Sequence, residues 1–281
     1  MKLSRLIISR IALSISLLVV PASVFAQAGV IESALELIAA GEIEEAIAIL
    51  EPIAETGDPE AQYQLAEIFW QADGELFDAV EAARLFTLAA EAGLAEAQNA
   101  LAILYLRGIG VDLDQVQGAY WQGVAAEQGH LPAQVGIGLR YLNGEGVEMD
   151  VEIARDWFEM AAERGDPAAA YQLGLIYANG VGVDQDFAAA LDWTQTAADA
   201  GFVGGHYNLG IAFVLGQGTD VDAPQALFHF AVAYLLSGQN LSGPLYAVVQ
   251  DVARQVTVEE TEQGLAAAED WVAQFHANAA E

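Results

Sequence analysis

The sequence predicts an all-α fold, an α-solenoid of antiparallel helix pairs with a 36-residue period. Three observations predict it: capping aspartates recur every 36 residues, apolar and small residues recur at helical spacing inside each unit, and glycines separate the segments. The aspartates are Asp78, Asp114, Asp150, Asp186 and Asp222. A unit of two short helices buries its apolar face only against its neighbours, which is the property that defines a solenoid.

The first half of each unit carries one stripe of buried-type residues at every fourth position. The small members are Ala61, Ala97, Ala133, Ala169 and Gly205. The aliphatic members are Leu65, Leu101, Ile137, Leu173 and Leu209, and the aromatic members are Phe69, Tyr105, Tyr141, Tyr177 and Phe213. Residues four apart lie on one face of an α-helix, so we expect a first helix in each unit to pack through this stripe.

The second half of each unit begins at the aspartate, which we expect to cap a second helix by accepting a free backbone N–H. Small residues follow at Ala82, Gly118, Ala154, Ala190 and Ala226, large ones at Leu85, Trp121, Trp157, Trp193 and His229, and alanines at 89, 125, 161, 197 and 233. In the first unit, Glu81 is predicted to complete a capping box with Asp78. The helices are predicted to end at the left-handed glycines Gly93, Gly129, Gly165 and Gly201.

A glycine-rich loop joins the two helices. It reads Gly108-Ile-Gly110-Val111 in the second unit and Gly144-Glu-Gly146-Val147 in the third. The glycines permit positive φ angles, and we expect the valine to anchor the turn on the core.

Positions that recur every 36 residues are called columns here. Together these columns resemble the pattern of the Sel-one-like repeat family, relatives of tetratricopeptide repeats with a longer loop between the helices. Unit four shows the pattern in full, at Ala169, Leu173, Tyr177, Gly180, Gly182, Val183, Asp186, Ala190, Trp193, Ala197, Ala198 and Gly201. The resemblance covers residues 57–237 and implies a solenoid whose inner surface binds peptides or protein faces.

The N-terminus resembles a secretory signal peptide. Lys2, Arg5 and Arg10 precede an apolar run at residues 11–20, and small residues precede a predicted cleavage site after Ala26. We therefore expect a periplasmic or secreted protein, with an uncleaved N-terminal anchor as the alternative. The predicted organisation is residues 1–26 signal peptide, 27–56 partial repeat or cap, 57–237 five repeats and 238–281 helical cap.

The C-terminal cap is predicted to contain two helices, at residues 241–256 and 258–275. Thr257 and Glu260 have the spacing of a capping box at the start of the second. Its apolar positions, Leu265, Ala268, Val272 and Phe275, are expected to cover the last repeat.

The charge of the chain excludes some partners. Without the three basic residues of the signal segment, six arginines, no lysine and 40 acidic residues remain, a formal charge of −34. Such a surface repels nucleic acid and anionic lipid, and no later segment is long and apolar enough to insert into a membrane. The sequence leaves open whether the acidity serves a salty habitat or recognition of a basic partner surface.

Residues that could perform catalysis or bind a metal are scarce. The chain has no cysteine, and no two of its four histidines share a helix at ligand spacing. The loop glycines follow a helix and lack the third glycine of a dinucleotide-binding fingerprint. His229, in the tryptophan column, is interpreted as a packed side chain. No catalytic, cofactor-binding or metal-binding residue is predicted.

The function that the resemblance implies is a protein-binding scaffold or regulator in the cell envelope, with an unidentified partner and oligomeric state. Side chains beside the apolar stripe of the first helices are the candidate contacts: Gln64, Gln98, Arg107, Gln134, Arg140, Tyr171 and Tyr207. We expect substitution of Arg107 or Arg140 by glutamate to weaken binding of the partner without unfolding the protein.

Two alternatives come from other functional classes. Some exported relatives are linked to β-lactam hydrolysis or binding, but those are rich in cysteine and this chain has none; a nitrocefin assay tests that activity. A cell-wall module that binds neutral glycan is the other, and sedimentation with peptidoglycan tests it.

Overall fold

The structure, a computed structural model, describes residues 22–71, 77–238 and 250–279, with side chains from residue 29 onward. No strand occurs in these ranges, and the predicted all-α solenoid of helix pairs is confirmed. The helices are α1 Ala22–Ala40, α2 Ile43–Glu55, α3 Pro59–Gln71, α4 Ala79–Glu91, α5 Ala95–Arg107, α6 Gln115–Glu127, α7 Leu131–Asn143, α8 Val151–Glu163, α9 Pro167–Asn179, α10 Phe187–Asp199, α11 Val203–Leu215, α12 Ala223–Leu236 and α13 Val258–Asn278.

Two segments of the predicted organisation lie partly outside the described residues. Most of the predicted signal peptide does, and α1 begins at Ala22, ahead of the predicted cleavage site. The helix predicted at 241–256 is described only from residue 250, and residues 250–253 are helical.

The repeats use the helices in alternation. The first helices are α3, α5, α7, α9 and α11, and the second helices are α4, α6, α8, α10 and α12. From α1 to α12 each helix packs against the next one along the chain, and α12 packs against α13. The small residues of the columns are at the centre of these contacts: Ala97, Ala133, Ala169, Ala125 and Ala197 are fully buried.

The large residues of the columns divide into two groups. The aliphatic column of the first helices is buried, with Leu101, Leu173 and Leu209 fully covered. The aromatic residues, such as Tyr105 and Trp157, are only half-buried and pack at the edges of the core clusters. Among the column residues, alanine and leucine therefore form the interior, and rings such as Tyr105 and Trp157 cover its margins.

The capping aspartates adopt the predicted role. Asp114 Oδ1 accepts the backbone N–H groups of Val116 and Gln117 at 2.9 and 3.0 Å. The N–H of the same aspartate donates to the carbonyl oxygen of Tyr105 at 2.8 Å, and the other capping aspartates make the equivalent bond to the aromatic residue of their first helix. This bond closes the loop between the helices of each pair.

The same bond explains why one predicted capping box is absent. The N–H of Asp78 donates to the carbonyl oxygen of Phe69, so it is not available to Glu81. The Glu81 carboxylate instead accepts two hydrogen bonds from Arg84, at 2.6 and 2.8 Å. The capping box predicted at Thr257 and Glu260 is confirmed, with both reciprocal bonds present.

The second glycine of the inter-helix loop lies against the preceding repeat in repeats two to five. Gly146 has a φ of 76°, and a Cβ atom there would collide with the carbonyl group of Gln115, the first residue of α6. Val147, the next residue, is half-buried against a core cluster, as predicted. The loop is thus part of the contact between repeats.

The final helix covers the last repeat with a different set of residues from the one predicted. Ala268 of α13 is fully buried, and Val272 and Phe275 are half-buried. The prediction for Leu265 is wrong, because 45% of this residue is exposed. Trp271, which was not predicted, faces the repeat instead, with its ring centroid 4.7 Å from that of His206.

Substitution of Gly146 by alanine is expected to destabilise the fold more than the same change at Gly165. Both glycines have positive φ, but nothing lies within 4 Å of a Cβ at Gly165. Gly165→Ala should therefore lower the free energy of unfolding by about 1–2 kcal/mol, the cost of the left-handed backbone alone. Gly146→Ala adds the collision with Gln115 and should cost roughly 3 kcal/mol or more. Urea unfolding measures both, and equal losses would contradict the contact between repeats.

Candidate functional site

The candidate site is the free surface of the first helices, here called the first-helix face. It is defined by two columns, Glu67, Ile103, Leu139, Leu175 and Ile211, and one turn later Trp70, Leu106, Leu142, Ala178 and Val214. All ten residues are half-buried. The outward positions of the second helices, by contrast, are exposed at Arg84, Tyr120, Asp156 and Asp192. The first-helix face is therefore the more sheltered of the two surfaces.

Charge is distributed unequally between the two kinds of helix. The sequences of α9 and α11 contain no Asp, Glu, Lys or Arg, whereas α8, the second helix of the preceding repeat, contains five such residues. The first-helix face of repeats four and five is consequently an uncharged strip on a strongly acidic protein. Apolar side chains and amides on such a strip can contact a partner without removing a charge from water.

Four of the predicted contact residues lie where contact is possible. Arg107 is exposed in the last turn of α5. Tyr171 and Tyr207 are half-buried, and their rings pack against Phe202 and Phe230 with centroids 5.1 and 5.9 Å apart. Gln64 is half-buried and donates a hydrogen bond from Nε2 to Glu60 Oε1 at 2.8 Å.

The interpretation of Gln98 and Gln134 as partner contacts is wrong. The two side chains are only 3% and 5% exposed. Their Nε2 atoms donate to the carbonyl oxygens of Ala90 and Ala126, at 3.1 and 3.3 Å, and Gln62 makes the same bond to Ala54. These glutamines tie each first helix to the end of the preceding helix, so they are structural.

Arg140 is half-buried and makes an ion pair within the protein, and its role as a partner contact stays a prediction. Arg140 occupies the position that Ile68, Leu104 and Ile176 fill as core residues in other repeats. Its side chain is 23% exposed and pairs with Glu145 of the following loop, while Nε is buried without a hydrogen-bond partner among the described residues. The guanidinium group is therefore engaged within its own repeat.

A buried histidine pair was missed by the sequence analysis. His206 and His229, which are 1% and 6% exposed, lie with their Nδ1 atoms 3.1 Å apart, so one ring donates its Nδ1–H to the other. His206 stands in the column of the buried glutamines, and His229 stands in the tryptophan column. Burial lowers the pKa of His206 to about 4 and that of His229 to about 3. Both rings are therefore neutral near pH 7.

A cavity was also missed. It has a volume of about 150 Å³, is open to solvent, and lies between α9, α10 and α11. Thr194 lines it at a position where Phe86, Phe158 and Phe230 are fully buried in other repeats. Comparison of the 36-residue columns would have revealed this small residue.

The described residues give little support to catalysis or metal binding. No group of three or more His, Cys, Asp or Glu residues within the described part could hold a metal ion. The hydroxyl groups of Ser33 and Ser237 donate to backbone carbonyl oxygens of their own helices. None of the described helices combines the length and the apolar character required to traverse a bilayer.

Comparison with protein families identifies the repeat. The model of the Sel1 repeat matches residues 59–94, 95–130, 131–166, 167–202 and 204–237, more than half of the chain. These segments coincide with the predicted repeats, which confirms the resemblance that the sequence indicated. No curated protein matches the chain.

Solved structures with the same repeat are similar to this chain. A Sel1 repeat protein from Oxalobacter formigenes is 26% identical, with a TM-score of 0.73 over 88% of this chain and 96% of that one. A protective antigen of uropathogenic Escherichia coli with an SLR fold is 22% identical, with a TM-score of 0.45 over 92% and 62% of the two chains. A putative Sel1 repeat protein from Klebsiella pneumoniae is 25% identical, with a TM-score of 0.45 over 73% and 97%.

Substitutions at Arg140 should distinguish a structural role from a binding role. Arg140→Leu restores the aliphatic residue of the column and should leave the free energy of unfolding unchanged or higher. Arg140→Glu places a carboxylate beside Glu145 in a largely covered position and should lower it by about 2 kcal/mol or more. Arg107→Glu is the exposed control, with an expected change within about 0.5 kcal/mol. Equal urea midpoints for the two glutamate variants would contradict this assignment.

The histidine pair should make stability depend on pH below neutrality. Each folded-state pKa lies below the value of about 6.5 for an unfolded chain, so the unfolded state binds more protons between that pH and about 4. The stabilisation by the neutral pair is complete above pH 6.5 and declines with acidification, by up to about 1.4 kcal/mol per histidine per pH unit. The Asp199 carboxylate partly opposes the lowered pKa of His206.

The measurement compares urea unfolding at pH 7.5 and pH 5. His206→Gln, which restores the glutamine of the column, should lose less stability than the original chain between these values. His276→Gln is the control, because His276 is exposed on α13. The same loss in the His206→Gln variant and the original chain would contradict the pair's role.

Proposed function

The chain belongs to the Sel1 repeat family, and we propose that it is a non-catalytic scaffold or regulator of the cell envelope that binds a protein on its first-helix face. Members of the family are generally protein-interaction scaffolds. The single observation that carries the proposal is the uncharged, half-buried strip formed by α9 and α11 on an otherwise acidic chain.

The composition of this strip suits a protein ligand. Leu175 and Ile211 offer half-buried apolar surface, and Gln172 and Asn208 offer amide donors and acceptors beside them. A bound segment could bury apolar surface and satisfy its own backbone groups at the same face, which is the usual combination at protein interfaces. The sequence candidates Tyr171 and Tyr207 lie on the same two helices and add aromatic contact area.

The acidic remainder of the molecule favours a partner with a basic surface. A formal charge of −34 on the chain without its signal segment attracts positive partners over distance and accelerates their encounter. The same charge disfavours nucleic acid and anionic lipid. In this proposal the acidic faces attract the partner, and the uncharged strip of α9 and α11 binds it.

The location that we propose is the periplasm or the exterior. The support is the N-terminal sequence, in which the basic residues Lys2, Arg5 and Arg10 precede an apolar run and small residues precede Gln27. Removal of residues 1–26 would leave the partial repeat at the N-terminus of the mature protein.

Nothing in the described residues favours the enzyme alternative. The imidazole groups of His206 and His229 are buried against each other, away from solvent. The first-helix face of α9 and α11 carries no carboxylate or amine that could act as an acid or base.

A photo-crosslinking residue placed at position 175 should capture one specific protein in the native envelope. The same residue at position 192 is the matched control, because Asp192 is exposed on the second helix of the same repeat. A photoreactive probe is required, since no lysine follows Lys2 in the sequence. We expect a discrete product at position 175 that mass spectrometry identifies and that is absent at position 192. Identical products at both positions, or no product at 175, would refute binding at the first-helix face.

A further inference from the structure

The cavity in repeat four occupies space that a phenylalanine ring fills in other repeats. Phe158 and Phe230 are fully buried opposite Gly138 and Gly210, where a Cβ atom would come within 2.7 and 2.6 Å of the ring. In repeat four, Gly174 again makes room for a ring, but its opposite residue is Thr194. The backbone therefore keeps the space for a ring that the sequence does not supply.

The polar residue at this position in repeat two reaches toward the first helix of repeat three. Gln122 is 5% exposed, and its amide group lies where a Cβ of Gly136 would stand. The long glutamine side chain thus occupies space next to α7. Thr194 is shorter, which accounts for a cavity in repeat four.

The walls of the cavity define what it can accept. Leu175, Leu191 and Ile211 provide apolar sides, while Asn179, Asn208 and Gln217 provide amide groups. No residue that lines the cavity carries a charge. A cavity of this volume with aliphatic walls is large enough for one benzene ring. The amide groups offer hydrogen bonds to a phenolic hydroxyl or to the backbone of a peptide.

The position of the cavity links it to the first-helix face. Leu175, Ala178 and Ile211 belong both to the cavity wall and to the columns that define that face. An aromatic side chain that enters here would come from a segment lying across α9 and α11, the uncharged part of the face. Two separate observations, the space for a ring and the absence of charge, thus coincide at one place.

We propose that the cavity between α9, α10 and α11 is a recognition pocket for an aromatic side chain, phenylalanine or tyrosine, of a protein segment bound on the first-helix face. That the segment belongs to a partner protein of the cell envelope rests on the proposed function. The ability of the cavity to bind an aromatic ring does not depend on it. Loss of the ring from the partner should weaken binding by about 10- to 100-fold, the value of burying one aromatic side chain.

The first experiment uses p-cresol and toluene, the side-chain analogues of tyrosine and phenylalanine, and follows backbone amide shifts of the purified chain by NMR. We expect saturable shifts centred on Gly174, Thr194 and Ile211. Thr194→Phe places the column's own ring in the cavity, so it should raise the midpoint of thermal unfolding and weaken binding of both analogues at least 10-fold.

Two further variants make this result decisive. Ala178→Leu narrows the same cavity with the residue that repeats two and three carry in this column, Leu106 and Leu142. It should weaken binding even if Thr194→Phe does not fold. Gln122→Phe is the matched control in repeat two and should leave binding unchanged. The proposed pocket is wrong if Thr194→Phe and Ala178→Leu both bind the analogues at full strength. It is also wrong if the NMR shifts centre on residues away from the cavity.

The second experiment tests the pocket against the partner that is captured at position 175. Thr194→Phe should reduce capture of this partner at least 10-fold, while Gln122→Phe should not. Undiminished capture by Thr194→Phe would overturn recognition through the pocket and leave the proposed function intact. Binding of p-cresol in a chain that captures no partner would instead leave the pocket intact and refute the proposed function.

Discussion

Close approach of the helix backbones is the constraint on which the rest of this structure depends. A Cβ atom on Gly205 would come within 2.6 Å of the backbone nitrogen of Ala198, so α11 and α10 meet almost backbone to backbone. The alanine columns have the same role in the other repeats, where Ala97, Ala133 and Ala169 are fully buried. Each helix pair is incomplete without its neighbours, and stability accumulates through successive contacts between repeats.

This constraint also determines where large side chains and charges are placed. Alanine, glycine and leucine take most of the space between the helices, beside the buried rings of Phe158 and Phe230. Tyr105 and Trp157 lie at the margins and remain half-buried. Charged groups lie on the outward faces of second helices, where Asp156 and Asp192 are exposed to water. The first-helix face is sheltered by its neighbours, and a charge there would lose hydration, which fits the neutral composition of α9 and α11.

The capping residues, the helical spacing of apolar residues and the 36-residue period were sufficient to predict the helices and their arrangement in repeats. Asp114 caps α6 because a short acceptor at that position satisfies free N–H groups, and Leu101 is buried because it recurs at helical spacing. Contacts between helices were not predictable in the same way. Gln98 lies beside the stripe of its own helix but faces the end of the preceding one, so a single helix viewed alone suggests an exposed residue. The pairing of His206 with His229 depends on how α11 and α12 approach each other.

Some residues depart from the residue type of their column, and these differ in whether another residue compensates for the change. Arg140 replaces an aliphatic core residue, but Glu145 neutralises it within the same repeat. His206 and His229 replace a glutamine and a tryptophan, but they bond to each other, and Trp271 of α13 packs against His206. Thr194 has no such compensation, because the space of the absent ring remains open to solvent. An uncompensated cavity costs stability, and a ligand that supplies the missing ring on the uncharged strip of α9 and α11 would recover part of that cost.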